Sequence, residues 1–534
     1  MKLKYLSTAM ILATLPATGA FAAALDRSGQ SMSAFLQPGN YFEAGLSVLD
    51  PTVKGQEAGE TPAPHDKIGD MANDYYFPSA ALKLQPTNNF SFGLLYDQPF
   101  GADAGYNGSN VFVSDASNTI LAPTALAGIR QNTIDAQIAA RLQPAINGAL
   151  AANLTNGVNG VVAQQAAALV AAGQAPTQAI AEQAIRANAT AMTQITTGVT
   201  QAITAAATTQ VQNGVTTAVD NAINGANDSL GIGSTSVEVD TQNLSFIAGF
   251  QPNDHWNIYA GAVYQTVKGN VSLRGQAYSL YNGYDASIPE DSALGWLAGV
   301  AFQIPEIALK ASVTYRSEID HDVNINETLS GIGALGLLPD AAFAGKPYAN
   351  GAAAATAIAA ARGETEITTP QSVNLDLQSG IMENTVAFAN IRWVDWSEFS
   401  IRPHKFGLVS EAVGPLVGRP DGFNLVEYSD DQWSVNAGVG RKLNDKWAGN
   451  VSVGWDSGAG NPVTTLGPTE GYWNVGLGVQ FSPTPATFIA GGVKYFWLGD
   501  AKAQTGSQAG DNTFVAEFED NNAIAYGLKM GYRF

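Results

Sequence analysis

The chain has 534 residues, with 46 acidic and 26 basic side chains, a formal charge of −20 and no cysteine. An acidic surface of this kind repels nucleic acid, and the lack of thiols excludes disulfides, a thiolate nucleophile and thiolate metal ligands. A mean hydropathy of −0.01 excludes a helical membrane protein but not a barrel, whose lumen-facing half is polar.

Residues 1–22 read as a secretory signal peptide. Lys2 and Lys4 precede a mostly apolar run over 6–15, and Ala20-Phe21-Ala22 is a small-x-small cleavage site. The run is too short for a membrane-spanning helix, and no later apolar run approaches the necessary twenty or so residues. The mature chain is expected to start near Ala23. Residues 23–41, through Leu25-Asp-Arg-Ser-Gly-Gln-Ser-Met-Ser-Ala-Phe-Leu-Gln-Pro-Gly-Asn-Tyr41, are polar and show no strand alternation.

From about residue 42 the recurring element is the alternating strand. Ile307, Leu309, Ala311, Val313 and Tyr315 alternate with Lys310, Ser312, Thr314 and Arg316. Trp447, Val451, Val453 and Trp455 alternate with Asn450, Ser452 and Gly454, and Trp473, Val475, Leu477 and Val479 with Asn474, Gly476 and Gly478. A two-residue period puts one set towards lipid and the other towards a lumen. About fourteen such strands are expected, near 42–52, 76–85, 89–100, 236–251, 255–273, 291–304, 306–322, 368–382, 384–398, 425–442, 445–458, 469–482, 486–502 and 512–534. In the fourth, Val237 and Val239 are out of phase with Leu244, Phe246, Ala248 and Phe250, and a bulge would reconcile them. Strand three is interrupted by Pro99 and Gly101, since proline cannot donate to a ladder. Short turns such as Pro252-Asn-Asp254 alternate with long polar segments, the asymmetry of outer-membrane barrels.

Residues 119–227, between strands three and four, are rich in Ala, Gln and Thr and poor in charge and aromatics. Stretches such as 164–172 and 179–191 carry helical spacing. Three readings fit this extracellular insertion: a helical hairpin over the barrel mouth, association with other copies, or a low-complexity loop. The chain closes on Tyr526-Gly-Leu-Lys-Met-Gly-Tyr-Arg-Phe534, apolar on one face and ending on an aromatic residue. A strand can cross hydrocarbon only where every backbone group is paired, hence as part of a closed barrel. The expected class is therefore an all-β, fourteen-stranded antiparallel transmembrane barrel over 42–534. It sits in the outer membrane of a Gram-negative bacterium, against lipid and lipopolysaccharide, with its last strand as the handle for the barrel assembly machinery.

Several stretches resemble the FadL family of outer-membrane long-chain fatty-acid transporters, which includes aromatic-hydrocarbon channels of the TodX type. They are Val48-Leu-Asp-Pro-Thr-Val53, Phe92-Gly-Leu-Leu-Tyr-Asp-Gln-Pro-Phe-Gly101, Val313-Thr-Tyr-Arg-Ser-Glu318 and Trp393-Val-Asp-Trp-Ser-Glu-Phe399. The resemblance implies a monomer plugged by an amino-terminal hatch, here residues 23–41. It also implies passive capture of a hydrophobic ligand among outer loops and lateral release through a kink in strand three, here Pro99, Phe100 and Gly101. The hatch is shorter than in well-known members, and their Asn-Pro-Ala piece is absent, which puts its sealing in question. Burying methylenes at about 0.8 kcal/mol each gives a sixteen-carbon tail roughly 10 kcal/mol for entering an apolar groove, before ordering costs.

Such a groove should be apolar with one cation for a carboxylate. The loop pieces Ala277-Tyr-Ser-Leu-Tyr281, with Tyr278 and Tyr281, and Gly331-Ile-Gly-Ala-Leu-Gly-Leu-Leu338, with Leu337 and Leu338, are candidates. Phe388 shares a lumen face with Val386, Asn390 and Arg392. The cation is sought among Lys268, Arg274, Arg316 and Arg392, although for any one of them a lumen ion pair with Asp or Glu is the expected role. Arg316 beside Glu318 and Lys310 looks structural. No cofactor is expected. The four histidines show no ligand spacing, and Ser317 and His321, on one strand face, would lie roughly 13 Å apart at 3.3 Å per residue, too far for a catalytic pair. The alternatives to a fatty-acid channel are an aromatic-hydrocarbon channel, or an adhesion or interaction protein that uses the insertion, with the barrel as anchor.

Overall fold

The structure is a computed structural model and describes residues 25–115, 123–338 and 340–534; the signal peptide lies outside these. It divides into two compact units.

The first unit is the barrel. Its strands are β1 (Tyr41–Thr52), β2 (Tyr75–Leu84), β3 (Phe90–Asp97, resuming at Gly101–Gly105), β4 (Ser236–Asn253), β5 (Trp256–Leu273), β6 (Tyr284–Ile304) and β7 (Leu309–Arg316). They continue with β8 (Ser372–Met382), β9 (Thr385–Val394), β10 (Gln432–Lys442), β11 (Trp447–Asp456), β12 (Tyr472–Thr484), β13 (Thr487–Leu498) and β14 (Asn522–Arg533). Each pairs antiparallel with its sequence neighbour, and β14 closes on β1 in register from Tyr41 opposite Arg533 to Thr52 opposite Asn522. Fourteen strands thus leave no free edge, which is what the hydrocarbon demands.

The alternation is read out as expected. On β14, Tyr526, Leu528 and Met530 are about half exposed on the outer face, while Ala525 and Lys529 are buried inward. Val451, Val453, Val475, Leu477 and Val479 continue the same outward band.

The structure differs from the sequence expectation in three places. First, β4 has no phase slip: Val237, Val239, Thr241, Asn243, Ser245, Ile247 and Gly249 all point inward. The out-of-phase valines are apolar residues on the lumen side, because the lumen itself is apolar at that level. The extra residue belongs to β3, where Asp97 pairs with Asn243 but Gly101 pairs with Asp240, so three residues oppose two. Second, the long-loop ends of several strands leave the barrel early. Residues Ile319–Val323 pair with Thr365–Thr369 in a separate ribbon, and Val463–Thr464, Ala501–Gln504, Ala516–Phe518, Gly55–Glu57 and Lys67–Ile68 form a five-stranded loop sheet. Beyond the hydrocarbon nothing requires the ladder to stay closed, and these segments bury their apolar faces among the loops. Third, the amino-terminal segment is polar in composition but is anchored by apolar side chains. Met32 and Phe35 are fully buried and Leu36 nearly so, in a cluster with Ile247, Tyr259, Val263 and Leu297 of the inner wall. The ring of Phe35 meets Tyr259 edge-on at 5.6 Å and lies over Gly93 and Gly249, where a Cβ would collide with it.

The second unit consists of residues 119–229 and 333–355. Its helices are α1 (Pro123–Ala171), α2 (Gln178–Ala187) and α3 (Ala189–Asp228). At 1.5 Å per residue α1 is roughly 70 Å long. Neither long helix carries a strong apolar stripe, so the helices stabilise one another along a thin seam: Val162 and Ala166 of α1, Ala181 and Ile185 of α2, and Ile195 of α3. Thr177 caps α2 at the Ile180 amide, Asn188 caps α3 at Ala191, and Arg130 pairs with Asp220 at 2.6 Å.

Candidate functional site

Two cavities of the barrel unit meet the first turn of the amino-terminal segment, one on either side of it. The one nearer the long loops has about 950 Å³ of unfilled space, open solvent included. Its wall is apolar: Val237 and Val239 of β4, Val271 of β5, Ile288 of β6, and Leu425 and Leu466 from loops. The other, nearer the short turns, has about 1540 Å³, open solvent included, and a mixed wall in which Asp97, Lys310, Arg316, Asp376 and Lys529 stand among Leu36, Phe77, Leu95, Leu377 and Phe388. Asp26 and Arg27 line the first cavity, and Ser28 lines the second.

That turn is tied to the wall on two sides. The Arg392 guanidinium donates to Asp26 at 2.7 and 3.3 Å, to Asn374 Oδ1 at 2.8 Å and to Gln30 Oε1 at 3.1 Å. Opposite, the interrupted backbone of β3 is completed by the same turn. Pro99 O accepts from the amides of Arg27 (2.6 Å) and Ser28 (3.4 Å), and Gly101 N donates to Leu25 O at 2.9 Å. Phe100 leaves the wall and packs edge-on against Trp396 at 5.5 Å, its amide bonded to Thr241 Oγ1. Further along, Ser28 Oγ donates to Asp97, and Lys83 and Lys310 donate to the carbonyls of Gln37 and Leu36. Backbone freed by a bulge and a proline has to find partners, and here the segment inside the barrel supplies them.

The interruption also opens the wall between β2 and β3. Their ladder runs from Leu84–Phe92 to Ala80–Tyr96 and stops. It resumes only where Tyr75 Oη bonds the backbone of Asp103 and Ala72 bridges Ala104. Residues 76–79 therefore face 97–100 without a ladder. Pro78 sits in this gap, and Phe77 turns inward and stacks on Tyr75 at 6.1 Å. The guanidinium of Arg27 lies over the rings of Tyr75 (4.0 Å) and Phe77 (5.9 Å). A Cβ at Gly101 would overlap that guanidinium and crowd Val239 O, so only glycine fits. Burial lowers the Arg27 pKa from the ordinary arginine value, opposed by Tyr75, Asp240 and Asp103.

The residues singled out by sequence are scattered relative to this arrangement. Lys268 is on the outer face of β5, 3.9 Å from Asp240, and cannot reach the lumen: it is an even-numbered residue on a strand whose odd-numbered residues point inward. Arg274 holds Asp285 with two bonds and also the carbonyls of Leu273 and Tyr284. Arg392 is saturated by Asp26, Asn374 and Gln30. Arg316 faces Gln30 O and Met32 Sδ rather than Glu318. Tyr278 donates to Thr465 Oγ1 and Tyr281 to Phe406 O, in a small separate cavity. Leu337 and Leu338 belong to the helical unit, where Leu337 O accepts from Thr133, so they form no groove with the 277–281 piece within one unit. Phe388 lines the second cavity. Pro99 and Gly101 flank the break itself. Ser317 Oγ accepts from Trp296 N, and His321 is held by Asp291 and Gln265. Arg27, Tyr75, Val237 and Val239 were missed as site residues. The phase anomaly of the two valines was the signal for the apolar cavity; nothing local marked Arg27.

A closed fourteen-stranded barrel with a lipid-facing apolar band, a filled lumen and an apolar outer cavity defines an outer-membrane channel rather than an open porin. The sequence matches the family of outer membrane protein transport proteins (OMPP1/FadL/TodX) over residues 100–534, and the chain belongs to that family. It is thus a transporter of hydrophobic compounds in the outer membrane of a Gram-negative bacterium, of a family of channels rather than enzymes. Among solved structures it is similar to a Pseudomonas aeruginosa FadL homologue (12% identity, 97% of this chain and 96% of that one, TM-score 0.54). It is also similar to the P. putida toluene transporter TodX (10%, 94% and 91%, TM-score 0.46) and the Ralstonia pickettii toluene transporter TbuX (11%, 97% and 98%, TM-score 0.44). No curated protein matches the sequence. The segment inside the barrel, the first two strands and the first stretch of β3 (Phe90–Asp97) lie ahead of the matched region.

Proposed function

We propose that the chain is a monomeric channel for passive uptake of long-chain fatty acids. The ligand enters the apolar outer cavity and leaves sideways between β2 and β3. The observation that carries this reading is the gap in the β2–β3 ladder, whose outer end at Tyr75, Gly101 and Ala102 lines that cavity while Phe77, Pro78, Ser79 and Gln98 line the inner one. The axial path is occupied by residues 25–40, which act as a hatch, and the cavity beyond carries the charged groups Asp97, Lys310, Arg316, Asp376 and Lys529. An apolar tail gains about 0.8 kcal/mol per buried methylene, and axial passage would carry it past those charges and into water. Exit into hydrocarbon through the wall keeps the tail out of water throughout and needs no energy source. The chain reaches the membrane through recognition of its last strand by the barrel assembly machinery.

The test is to close the gap reversibly. The chain has no cysteine, so Pro78→Cys with Gln98→Cys introduces a single pair at the positions an uninterrupted ladder would place opposite each other. Uptake of labelled oleate and of toluene is measured in cells lacking their own transporter. Oleate uptake that stops on oxidation and returns on reduction supports lateral release. Uptake indifferent to the crosslink refutes it, and toluene entry without oleate uptake moves the substrate to aromatic hydrocarbons.

A further inference from the structure

Arg27 is 8% exposed, lines the apolar cavity, and forms no ion pair among the described residues. Its Nη2 is buried without a hydrogen-bond partner. Its guanidinium bonds the Tyr75 side chain, and Asp240 and Asp103 act on it only from beyond ion-pair distance, while Asp26 is taken by Arg392. A guanidinium keeps its charge and presents a planar fork of donors matched to a carboxylate. A buried donor left unpaired on a charged group is costly; Arg316 Nε and Arg533 Nε and Nη2 are in the same state, and of these three arginines only Arg27 lines the apolar cavity. Packing does not account for it, since the wall admits this group only by having glycine at position 101.

We propose that Arg27 is the receptor for the carboxylate head of an amphiphile whose tail lies in the apolar cavity. This rests on the reading of that cavity as the hydrophobic-ligand site, and it narrows the substrate class to carboxylates. A hydrocarbon without a head group gains nothing from the fork. The position matters as much as the charge. The Arg27 side chain rests on Tyr75 and Phe77 at the edge of the wall gap, and its amide is bonded to Pro99 O. A head group bound there stands at the gap and on the hatch turn that completes β3.

The experiment compares equilibrium binding of oleate and methyl oleate to the full chain in detergent, for the wild type, Arg27→Met and Arg27→Lys. A charged hydrogen bond of ordinary strength corresponds to a factor of about 10 to 100. The wild type should prefer the acid by that factor, and Arg27→Met should lose the preference while holding the ester as before. Arg27→Lys keeps the charge without the fork and should weaken oleate severalfold, with the ester unchanged. Ester binding by the variants also reports that they are folded. Equal affinity of the wild type for acid and ester, or a preference that survives in Arg27→Met, overturns the assignment and leaves the hydrophobic cavity standing. If Arg27→Met fails to assemble, Arg27→Lys decides, and an unchanged acid preference there overturns it. Failure of the wild type to bind either probe overturns the cavity reading, and Arg27 with it.

Discussion

Removing the Asp26 carboxylate should release the hatch without unfolding the barrel. In the native chain Asp26 and Arg392 are both almost fully buried, with Nε to Oδ2 at 2.7 Å. Asp26→Ala leaves the guanidinium with only two neutral acceptors, Asn374 and Gln30. Breaking a buried pair from one side costs about 3–5 kcal/mol, because the surviving charge stays uncompensated. The fourteen ladders do not depend on this pair, so the cost falls on the local opening of residues 25–40. At about 1.4 kcal/mol per decade, that opening should become roughly two to nearly four orders of magnitude more frequent. Hydrogen exchange of peptides covering 25–40, with β11 and β12 as internal reference, measures it. Arg392→Met alone should do the same by stranding Asp26, and the double variant should recover much of the protection. Unchanged exchange in the hatch of Asp26→Ala, or equal acceleration throughout the barrel, would refute the reasoning. Loss of oleate binding in Arg392→Met with the hatch still protected would return Arg392 to the ligand.

The apolar wall and the loop acids give two further expectations. Val271→Asn places an unpartnered amide in the outer cavity at a cost of about 1–3 kcal/mol, so oleate and methyl oleate should both bind roughly tenfold more weakly; a loss confined to the acid would contradict an apolar role. In the loop before β12, burial pushes the Glu470 carboxyl up to about 7 from 4.5, opposed by the Gly460 amide and reinforced by Asp430. An acid whose pKa rises on folding contributes stability that is complete below about 4.5 and lost as pH rises through about 7. Residues 457–471 should therefore open more readily at pH 8 than at pH 5, in exchange corrected for intrinsic rate. Glu470→Gln should flatten that dependence, and a slope that persists assigns it to another group.

Much of the fold was legible because a membrane imposes a strict rule. With lipid outside and a lumen inside, side-chain parity must persist along every strand, and all fourteen strands could be located from it. Where the rule lapses, so did the reading. Outside the hydrocarbon, residues 319–323, 501–504 and 516–518 keep strand-like patterns but join loop sheets. The anomaly at Val237 and Val239 was visible, but the sequence could not say whether a bulge or an apolar lumen caused it. The break in β3 was visible through Pro99, since a proline announces the loss of a ladder bond wherever it falls.

The sequence by itself thus determined the barrel, its membrane and the place of the wall interruption, all of which follow from local periodicity and backbone chemistry, while it left the insertion open between helix and loop. Only the tertiary structure decided which charges are spent and which are free. Lys268, Arg274 and Arg392 each looked available as residues, but Lys268 faces outward, Arg274 is held by Asp285 on the next strand, and Arg392 is held by groups distant in the chain. Arg392 meets Asp26 across 366 positions, and Arg27 reaches the gap beside Gly101 through a segment that shows no pattern of its own. Whether a charge is satisfied depends on what lies within a few ångströms of it, and in a closed barrel those neighbours come from the far end of the sequence.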